Sequence, residues 1–356
     1  MVKVFDFFSG CGGTSCGFQQ AGMDIVMGLD IDADAARTYR ENFPKAQFIE
    51  SDIRELSTDI LAPFLVERDR PILFCGCAPC QPFSKQNLQK IANDPRRGLL
   101  TEFGKFIQAW LPDYIFIENV PGMQRIKGDD GPLQGFKELI SKLGYSYKID
   151  VLPSLWFGVP QTRERLVLLA SRIPGIKLPE ATHGLNKVAF STVQDWIGDL
   201  PKIKAGETHS DDPDHQAAAL SDINLKRISL TPEGGSRECW PQKLWLDCHR
   251  DHKGHTDVYG RLAWKKQAAG LTTRCISYSN GRFGHPEQNR AISVREAACL
   301  QTFPRHYAFK GNLNARARQI GNAVPPLMAQ RFGEVILAHA KTNASYYKRE
   351  EKKESK

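Results

Sequence analysis

The chain predicts an α/β protein, a doubly wound and mostly parallel sheet with a smaller, irregular domain inserted into it. Three observations carry that expectation. Short apolar runs alternate with helix-like patterns from residue 1 to about 175, a glycine-rich turn directly follows the first apolar run, and the alternation stops after Ser171. Strand and helix patterns in alternation signal βαβ units, whose crossovers place helices on both faces of a parallel sheet.

Taken in order, Val2 to Phe8, Ile25 to Gly28, Gln47 to Ile49, Ile72 to Cys75, Tyr114 to Ile117, Tyr147 to Val151 and Leu166 to Ala170 read as strands. Gly17 to Ala21, Ala33 to Asn42, Leu100 to Trp110 and Leu133 to Leu143 read as the helices between them. The strands are near-continuous apolar runs, as a sheet covered on both faces requires. From about 176 to 290 the sequence turns rich in Pro, Gly, His and Trp, and apolar stretches become short and irregular. Helical periodicity returns at Ser293 to Leu300 and at Leu327 to Ala340, and the mixed-charge stretch 346–356 is expected to be disordered. No internal repeat is visible.

With 356 residues and 41% hydrophobic content the chain can bury a large core, and its length suggests about two domains. A formal charge of +8 favours an acidic partner such as nucleic acid. Nine cysteines, odd in number and irregularly spaced, argue against a disulfide framework. No charged leader precedes an apolar region at the start, and no segment approaches about 18 uninterrupted apolar residues. A soluble protein of a reducing compartment is expected.

The turn Phe8-Ser9-Gly10-Cys11-Gly12-Gly13 would let the backbone approach a bound cofactor closely. Asp30, twenty residues beyond Gly10, stands at the end of the second strand, where a carboxylate suits ribose hydroxyls. Asp52 follows the third strand and could accept from an adenine amino group, with Ile53 packed on the ring. No Lys-Ser or Lys-Thr phosphate loop is present, so an adenosine-containing cofactor fits better than a free phosphate. NAD and S-adenosylmethionine both satisfy this pattern.

Cys80 lies in Gly76-Cys77-Ala78-Pro79-Cys80-Gln81-Pro82-Phe83-Ser84, directly after an apolar strand. Pro79 fixes the local backbone, so the run reads as a rigid turn presenting a thiol at the carboxyl end of a strand, the edge where open α/β sheets bind ligands. Glu118-Asn119-Val120 ends the next strand. A thiol nucleophile and a carboxylic acid at neighbouring strand ends suit attack on an electron-poor ring with protonation of that ring. Arg163 and Arg165, two apart in an expected strand, would point to one face and supply positive charge. Cys75, Cys77 and Cys80, and Cys248 with His249, His252 and His255, invite a zinc reading; the first group has no paired Cys or His partner at usual spacing, histidines in loops that face DNA more often serve phosphate contact or nothing, and no metal is expected.

With the glycine turn, Cys80 and Glu118 on one scaffold, the chain resembles the bacterial DNA cytosine-5 methyltransferases. The resemblance runs from Phe5 to about Ala340 with motifs in the family's order. They are Phe5 to Gly17, Asp30-Ile31-Asp32, Asp52-Ile53, Ala78-Pro79-Cys80-Gln81 and Glu118-Asn119-Val120. Gly158-Val159-Pro160-Gln161, Arg163-Glu164-Arg165, Arg295-Glu296-Ala297-Ala298 and Gln319-Ile320-Gly321-Asn322-Ala323-Val324-Pro325 follow. Any one tripeptide is common, but the ordered set is specific. Two departures stand out: Cys77 and Ala78 replace the usual Gly or Pro, and Arg305 replaces an Asp after Phe303-Pro304.

The resemblance implies a Rossmann-like, S-adenosylmethionine-dependent methyltransferase fold with a target-recognition domain inserted. Residues 1–175 would form the catalytic and cofactor-binding domain, 176–315 the inserted domain, and 316–345 would return to the first. It implies S-adenosylmethionine in a pocket of Phe8, Gly10, Gly12, Gly13, Asp30, Ile31, Asp52, Ile53, Pro79, Leu99, Asn322 and Ala323. The Cys80 thiolate would add to carbon 6 of a flipped-out cytosine while Glu118 serves ring nitrogen 3. Arg165 would reach the base oxygen, and Arg163 the active site or the adjacent phosphate. Gln161 would order its turn. Duplex DNA would be held by Gln81, Ser84, Arg96, Arg97 and Asn119, with Ser84 to Gly98 a mobile cationic loop. In the inserted domain, Arg227, Arg237, Leu271, Thr272, Thr273, Arg274 and Arg282 are the expected DNA contacts, some to bases and some only to phosphates. The protein would be a cytoplasmic, nucleoid-associated monomer, with a cognate restriction endonuclease as a partner.

Three other classes compete. An NAD dehydrogenase would use the same turn and Asp30 but gives Pro79-Cys80-Gln81 no role. A tRNA cytosine-5 methyltransferase would share Cys80 and Glu118 but have a shorter insertion with a Cys-Phe-Thr signature, absent here. A catalytically inactive DNA-binding regulator would be expected to lose the nucleophile or the arginine pair.

Overall fold

The computed structural model describes residues 1–65, 70–78, 98–122, 131–250 and 257–345. They fall into two compact units. The first is drawn from Met1–Pro153, Glu164–Ala181 and the segment beginning at Pro326; the second from Ser154–Arg163 and Thr182–Pro325.

In the first unit the chain runs β1 (Lys3–Phe7), α1 (Gly13–Gln20), β2 (Asp24–Asp30), α2 (Ala33–Asn42), β3 (Gln47–Glu50), α3 (Ala62–Leu65), β4 (Ile72–Gly76), α4 (Leu99–Trp110), β5 (Tyr114–Asn119), α5 (Pro132–Lys142) and β6 (Ser146–Pro153). After β7 (Gln161–Thr162), which belongs to the second unit, β8 (Glu164–Ser171) completes the sheet. Strand order is β3-β2-β1-β4-β5-β8-β6. The first five pair in parallel, and β8 runs antiparallel to both β5 and β6. Strand order therefore reverses between β1 and β4. Ligands of open α/β sheets bind at the carboxyl ends of the strands beside such a switch point.

Alternating side chains of β5 explain the two covered faces. Ile115 and Ile117 join a core cluster with Phe5, Phe7, Phe74, Phe103 and Phe106, which α4 and α5 cover. Phe116 points the other way, edge-on to Phe18 of α1 and to Phe332 of α11 (Pro326–Thr342). Each phenyl ring taken out of water contributes about 2–3 kcal/mol before packing terms. Two glycines make the close approaches possible. A Cβ on Gly17 would lie 2.2 Å from the Pro326 carbonyl oxygen, and one on Gly76 2.6 Å from the Phe103 ring. Helix α2 is started by Asp32, whose carboxylate accepts the Asp34 and Ala35 amides at 2.9 and 3.2 Å. Leu111 ends α4 in the left-handed conformation, just before Pro112.

The second unit has little regular structure. It holds α6 (Val193–Ile197), β9 (Thr208–His209), β10 (Asp212–Gln216), α7 (Asp222–Ser229), α8 (Asp247–Arg250), β11 (Ala268–Ala269), α9 (Val294–Leu300) and α10 (Leu313–Asn322). A small core of Ile228, Trp240, Leu244, Tyr259, Tyr278 and Ala291 is supplemented by buried ion pairs. Arg290, fully buried, donates to both oxygens of Glu296 at 2.6 and 2.7 Å. Burial alone would raise the Glu296 carboxyl, but Arg290 holds it below its ordinary range. Arg295 forks onto Asp212, and Asp214 takes Arg316.

The expected strands and helices of the first half are all present, with ends shifted by a few residues. The division between units falls elsewhere than at 176 and 316. The second unit takes 154–163, where β7 pairs with β11, and it keeps α10, so the chain re-enters the first unit at Pro326. A Cβ on Gly321 would stand 2.1 Å from the Thr272 carbonyl oxygen, which shows how tightly α10 is held within the second unit. Among the described residues no helix is long and apolar enough to cross a membrane. The tail 346–356 lies outside the described residues.

Candidate active site

At the carboxyl ends of β1 and β2 the backbone folds into the expected turn. Phe8, Gly10 and Gly12 all have positive φ, at 58°, 52° and 89°. Gly12 then serves as the left-handed residue from which α1 starts. The turn is locked from β2: the Gly10 amide donates to Asp30 Oδ2 at 2.8 Å, and the Asp32 amide donates to Asp30 Oδ1 at 2.9 Å. Burial raises the Asp30 carboxyl, against the pull of those amides. Open space lies where a Gly10 side chain would stand. Ile31 beside it is exposed, at 67%.

Asp52 caps the short turn Ile53–Glu55 by accepting the Arg54 amide at 2.9 Å, and it pairs with the Arg54 guanidinium. That side-chain hydrogen bond holds its carboxyl below the ordinary range. Ile53 and Leu99 are buried in the core cluster. The structure thus places Phe8, Gly10, Gly12, Gly13, Asp30, Ile31, Asp52, Ile53 and Leu99 in the first unit, whereas Asn322 and Ala323, at the end of α10, lie in the second.

At the adjoining ends of β4 and β5, Glu118 is buried and its Oε1 meets Arg165 Nε at 2.7 Å. Register explains the pairing: Glu118 lies opposite Val167 in the antiparallel β5–β8 ladder, so Arg165 arrives at the same end of the sheet. Asn119 Nδ2 donates to the Ala78 carbonyl at 3.0 Å, which ties the segment leaving β4 to the end of β5. Cys77 Sγ stands 3.5 Å from Thr14 Oγ1, and burial with the nearby Glu118 charge pushes its thiol well up. Cys80 lies outside the described residues, as do Pro79, Gln81, Ser84, Arg96 and Arg97, together with His252 and His255. Among the described residues no group of three or more His, Cys, Asp or Glu could hold a metal.

Arg163 differs from expectation. It precedes β8, falls in the second unit, and directs its guanidinium to the Leu271, Gly321 and Ala323 carbonyls at 3.0–3.4 Å. It organises backbone rather than presenting free donors. The Gln161 side chain reaches segments far from its own turn in sequence. Its side-chain amide donates to the Leu300 carbonyl and Gln301 Oε1, and its oxygen accepts the Leu271 amide.

Three of the expected DNA contacts are also taken up by the fold of the second unit. Arg227 is buried, lies over the Trp240 and Tyr259 rings at 5.2 and 5.6 Å, and donates to the Leu244 carbonyl. Arg237 is buried at 4% exposure. Arg282 binds Asp257 and the carbonyls of Gly234, Gly235 and Arg261. Leu271 is buried, Thr272 half-buried, and Thr273 and Arg274 are exposed.

A family model described as C-5 cytosine-specific DNA methylase matches residues 2–338. The chain belongs to that family. It is 40% identical over 339 residues to the Type II methylase M.HgiDII of Herpetosiphon aurantiacus, covering 94% of each chain. To the Type II methyltransferase M1.HphI of Haemophilus parahaemolyticus it is 35% identical over 340 residues, covering 94% of this chain and 87% of that one. In fold it is similar to a crystal structure described as a prophage-encoded DNA modification methyltransferase from E. coli. That match has a TM-score of 0.75 and 23% identity over 95% of this chain and 99% of the other.

The protein is therefore a DNA cytosine-5 methyltransferase. Sequence reasoning missed two features of this methylase. Arg54 was not linked to Asp52, although a cation two residues after a capping Asp is a common turn partner. Asp6, an acid inside the apolar run Phe5-Asp6-Phe7, went unremarked, and that placement was itself a signal.

Proposed function

We propose that this methylase transfers a methyl group from S-adenosylmethionine to carbon 5 of a flipped-out cytosine in a specific duplex DNA sequence. The observation that carries the reading is the buried Glu118–Arg165 pair at the end of β5, joined through Asn119 to the segment that leads from β4 toward Cys80. When bound, S-adenosylmethionine supplies the electrophilic methyl group that carbon 5 accepts. Phe8, Gly10, Gly12, Gly13, Asp30, Ile31, Asp52, Ile53, Pro79 and Leu99 would hold it. The open space beside Gly10 and the carboxylate of Asp30 fit a ribose-bearing molecule.

The Cys80 thiolate forms a bond to carbon 6, and the displaced ring electrons make carbon 5 nucleophilic. Glu118 hydrogen-bonds or protonates ring nitrogen 3. Arg165 positions Glu118 and offers its remaining donors to the base oxygen. Once carbon 5 carries the methyl group, its proton passes to solvent water, the electrons it leaves expel the Cys80 thiolate, and ring nitrogen 3 returns any proton to Glu118, which restores the ring. A base stacked in a duplex cannot meet a thiol at a sheet edge, so the cytosine must leave the helix. Residues 182–325 would read the sequence, with Thr273 and Arg274 the most accessible of the expected contacts. The Type II names of the relatives support a place in restriction and modification beside a cognate endonuclease.

Methyl transfer from tritiated cofactor to duplex DNA, tRNA and no substrate tests the reading. Label should enter duplex DNA alone. DNA carrying 5-fluorocytosine should trap the wild type covalently, because fluorine cannot leave as a proton does. A trapped adduct with Cys80→Ala, or label in tRNA only, refutes it.

A further inference from the structure

Thr273 and Arg274, the most accessible of the expected DNA contacts, follow a residue whose peptide groups are both taken by side chains. The Leu271 amide donates to Gln161 Oε1 at 3.0 Å, and the Leu271 carbonyl accepts Arg163 Nη1 at 3.0 Å. Gln161 Nε2 donates in turn to the Leu300 carbonyl at 2.7 Å and to Gln301 Oε1 at 2.6 Å, and Gln301 Nε2 donates to the Ala323 carbonyl. The Arg163 guanidinium reaches that same Ala323 carbonyl at 3.4 Å and the Gly321 carbonyl at 3.2 Å, which closes a circuit. Gln161 and Gln301 are fully buried, and Arg163 and Leu271 nearly so. All of these residues belong to the second unit, and methyl transfer itself has no use for the circuit.

The polarity of the circuit leaves one residue type that fits at 161. One end of the side chain faces the Leu300 carbonyl and Gln301 Oε1, and the other faces the Leu271 N–H. Only an amide, with its NH2 toward 300–301 and its oxygen toward Leu271, satisfies both ends. A glutamate would set a second oxygen against two acceptors. An apolar chain would remove the acceptor of the Leu271 N–H inside the core.

What the circuit fixes is the near end of a tight turn. The Cys275 amide donates to the Thr272 carbonyl at 3.0 Å and the Arg274 amide to Thr272 Oγ1 at 3.3 Å, so Thr273 and Arg274 occupy an exposed corner. Helix α10 supports that turn from beneath. Cys275 is buried with its Sγ 3.7 Å from the Ala317 carbonyl, and Gly321, one helical turn further on, admits the Thr272 backbone where any side chain would collide. The hold on Leu271 supplies the remaining restraint.

We propose that Gln161 and Arg163, joined through Gln301, are positioning residues for sequence choice: by holding both peptide groups of Leu271 they set the place from which Thr273 and Arg274 meet the DNA. This rests on the reading that the second unit reads the sequence. A hydrogen bond to a base edge tolerates a misplacement of only about 0.5 Å, whereas attraction between the Arg274 charge and phosphate does not depend on such precision. A corner released from the circuit therefore still binds DNA but separates one base pair from another less well. The circuit governs discrimination more than affinity.

Duplex DNA of random sequence, methylated by the whole enzyme and read by bisulfite sequencing, tests this. Wild type should concentrate methylation on one sequence, with each mismatched pair lowering the rate by about 5- to 150-fold. Gln161→Met should cut that discrimination by about fivefold or more, at the same sequence positions that Arg274→Ala relaxes. Its single-turnover rate on saturating preferred DNA should stay within about threefold of wild type, and exchange of the Leu271 amide should quicken. Ile228→Ala, in the small core of the second unit, is the control for lost stability alone: it should unfold more easily and leave sequence choice intact. If Gln161→Met does not fold, Gln301→Met, which opens the circuit without touching Leu271, decides in its place. Wild-type discrimination in the folded variant, or an equal loss in Ile228→Ala, overturns the proposal. If Thr273→Ala and Arg274→Ala leave sequence choice unchanged, the reading of this corner as a DNA contact fails and the proposal with it. If they relax it and the circuit variant does not, the proposal falls alone.

Discussion

Removing Arg165 while keeping its bulk, as in Arg165→Met, leaves Glu118 as a buried carboxylate without its counter-charge. The pair is short, at 2.7 Å, and the two side chains are only 15% and 9% exposed. Breaking a buried pair from one side costs about 3–5 kcal/mol, most of it the penalty of the stranded charge. The remaining exposure places this case at the lower end, about 3 kcal/mol. The second bond of Arg165, from Nη1 to the Glu164 carbonyl, adds little because that carbonyl is exposed and returns to water. Urea unfolding of wild type, Arg165→Met, Glu118→Gln and the double variant measures the coupling. Each single variant should lose stability, and the double should be little worse than either, a coupling of about 2 kcal/mol or more. Methyl transfer should fall at least tenfold in Arg165→Met even under conditions where it is fully folded. If the losses simply add, within about 0.5 kcal/mol, the pair does not hold Glu118 and the positioning role given to Arg165 is wrong.

Gly321→Ala should destabilise the second unit severely, since its Cβ would meet the Thr272 backbone at 2.1 Å and neither segment can yield cheaply; unchanged thermal unfolding would contradict that. Gly17→Ala should do the same to the packing of α1 on α11, read as lost protection in hydrogen exchange of both helices. His285 is buried, and burial lowers it from 6.5 to about 4, with Arg290 adding to the shift and Glu296 opposing it. The unfolded chain binds this proton first, so His285 should remove stability as pH falls from about 6.5 toward 4, by up to about 3 kcal/mol. His285→Asn should flatten that slope; an identical slope in both proteins refutes the assignment.

The sheet was legible because strands buried on two faces must be almost wholly apolar, and the helices between them must show a 3.6-residue stripe. Glycines that open the β1 turn, the carboxylate that closes it from β2, and Glu118 at the end of β5 could be placed because each sits at a strand end that the pattern marks. The partners of those groups were less legible. Arg54 on Asp52 is a local turn contact with no periodicity behind it. Arg163 and Arg165 look equivalent in sequence, yet β8 begins between them, at Glu164. One arginine joins the sheet edge while the other is drawn into the loops of the second unit.

The arginines of the second unit show why charge misleads in an irregular domain. Where regular ladders are few, many carbonyls lack an N–H partner, and a buried carbonyl must find a donor or pay its desolvation. Arginine brings five donors on one planar group, so a single side chain can serve several loops at once. Arg261 does so for the carbonyls of Ile228, Thr231, His285 and Gln288, and Arg282 and Arg163 act alike. An arginine in such a segment is therefore as much a structural brace as a DNA ligand. Exposure then separates the two uses. Arg274 is exposed and follows exposed Thr273, so Arg274→Ala should weaken DNA binding while leaving unfolding unchanged. Arg227→Ala should first lower stability, because it empties a cationic site between two aromatic rings. Filter binding of duplex DNA beside thermal unfolding of both variants distinguishes the roles, and a stability loss in Arg274→Ala equal to that in Arg227→Ala would refute the division.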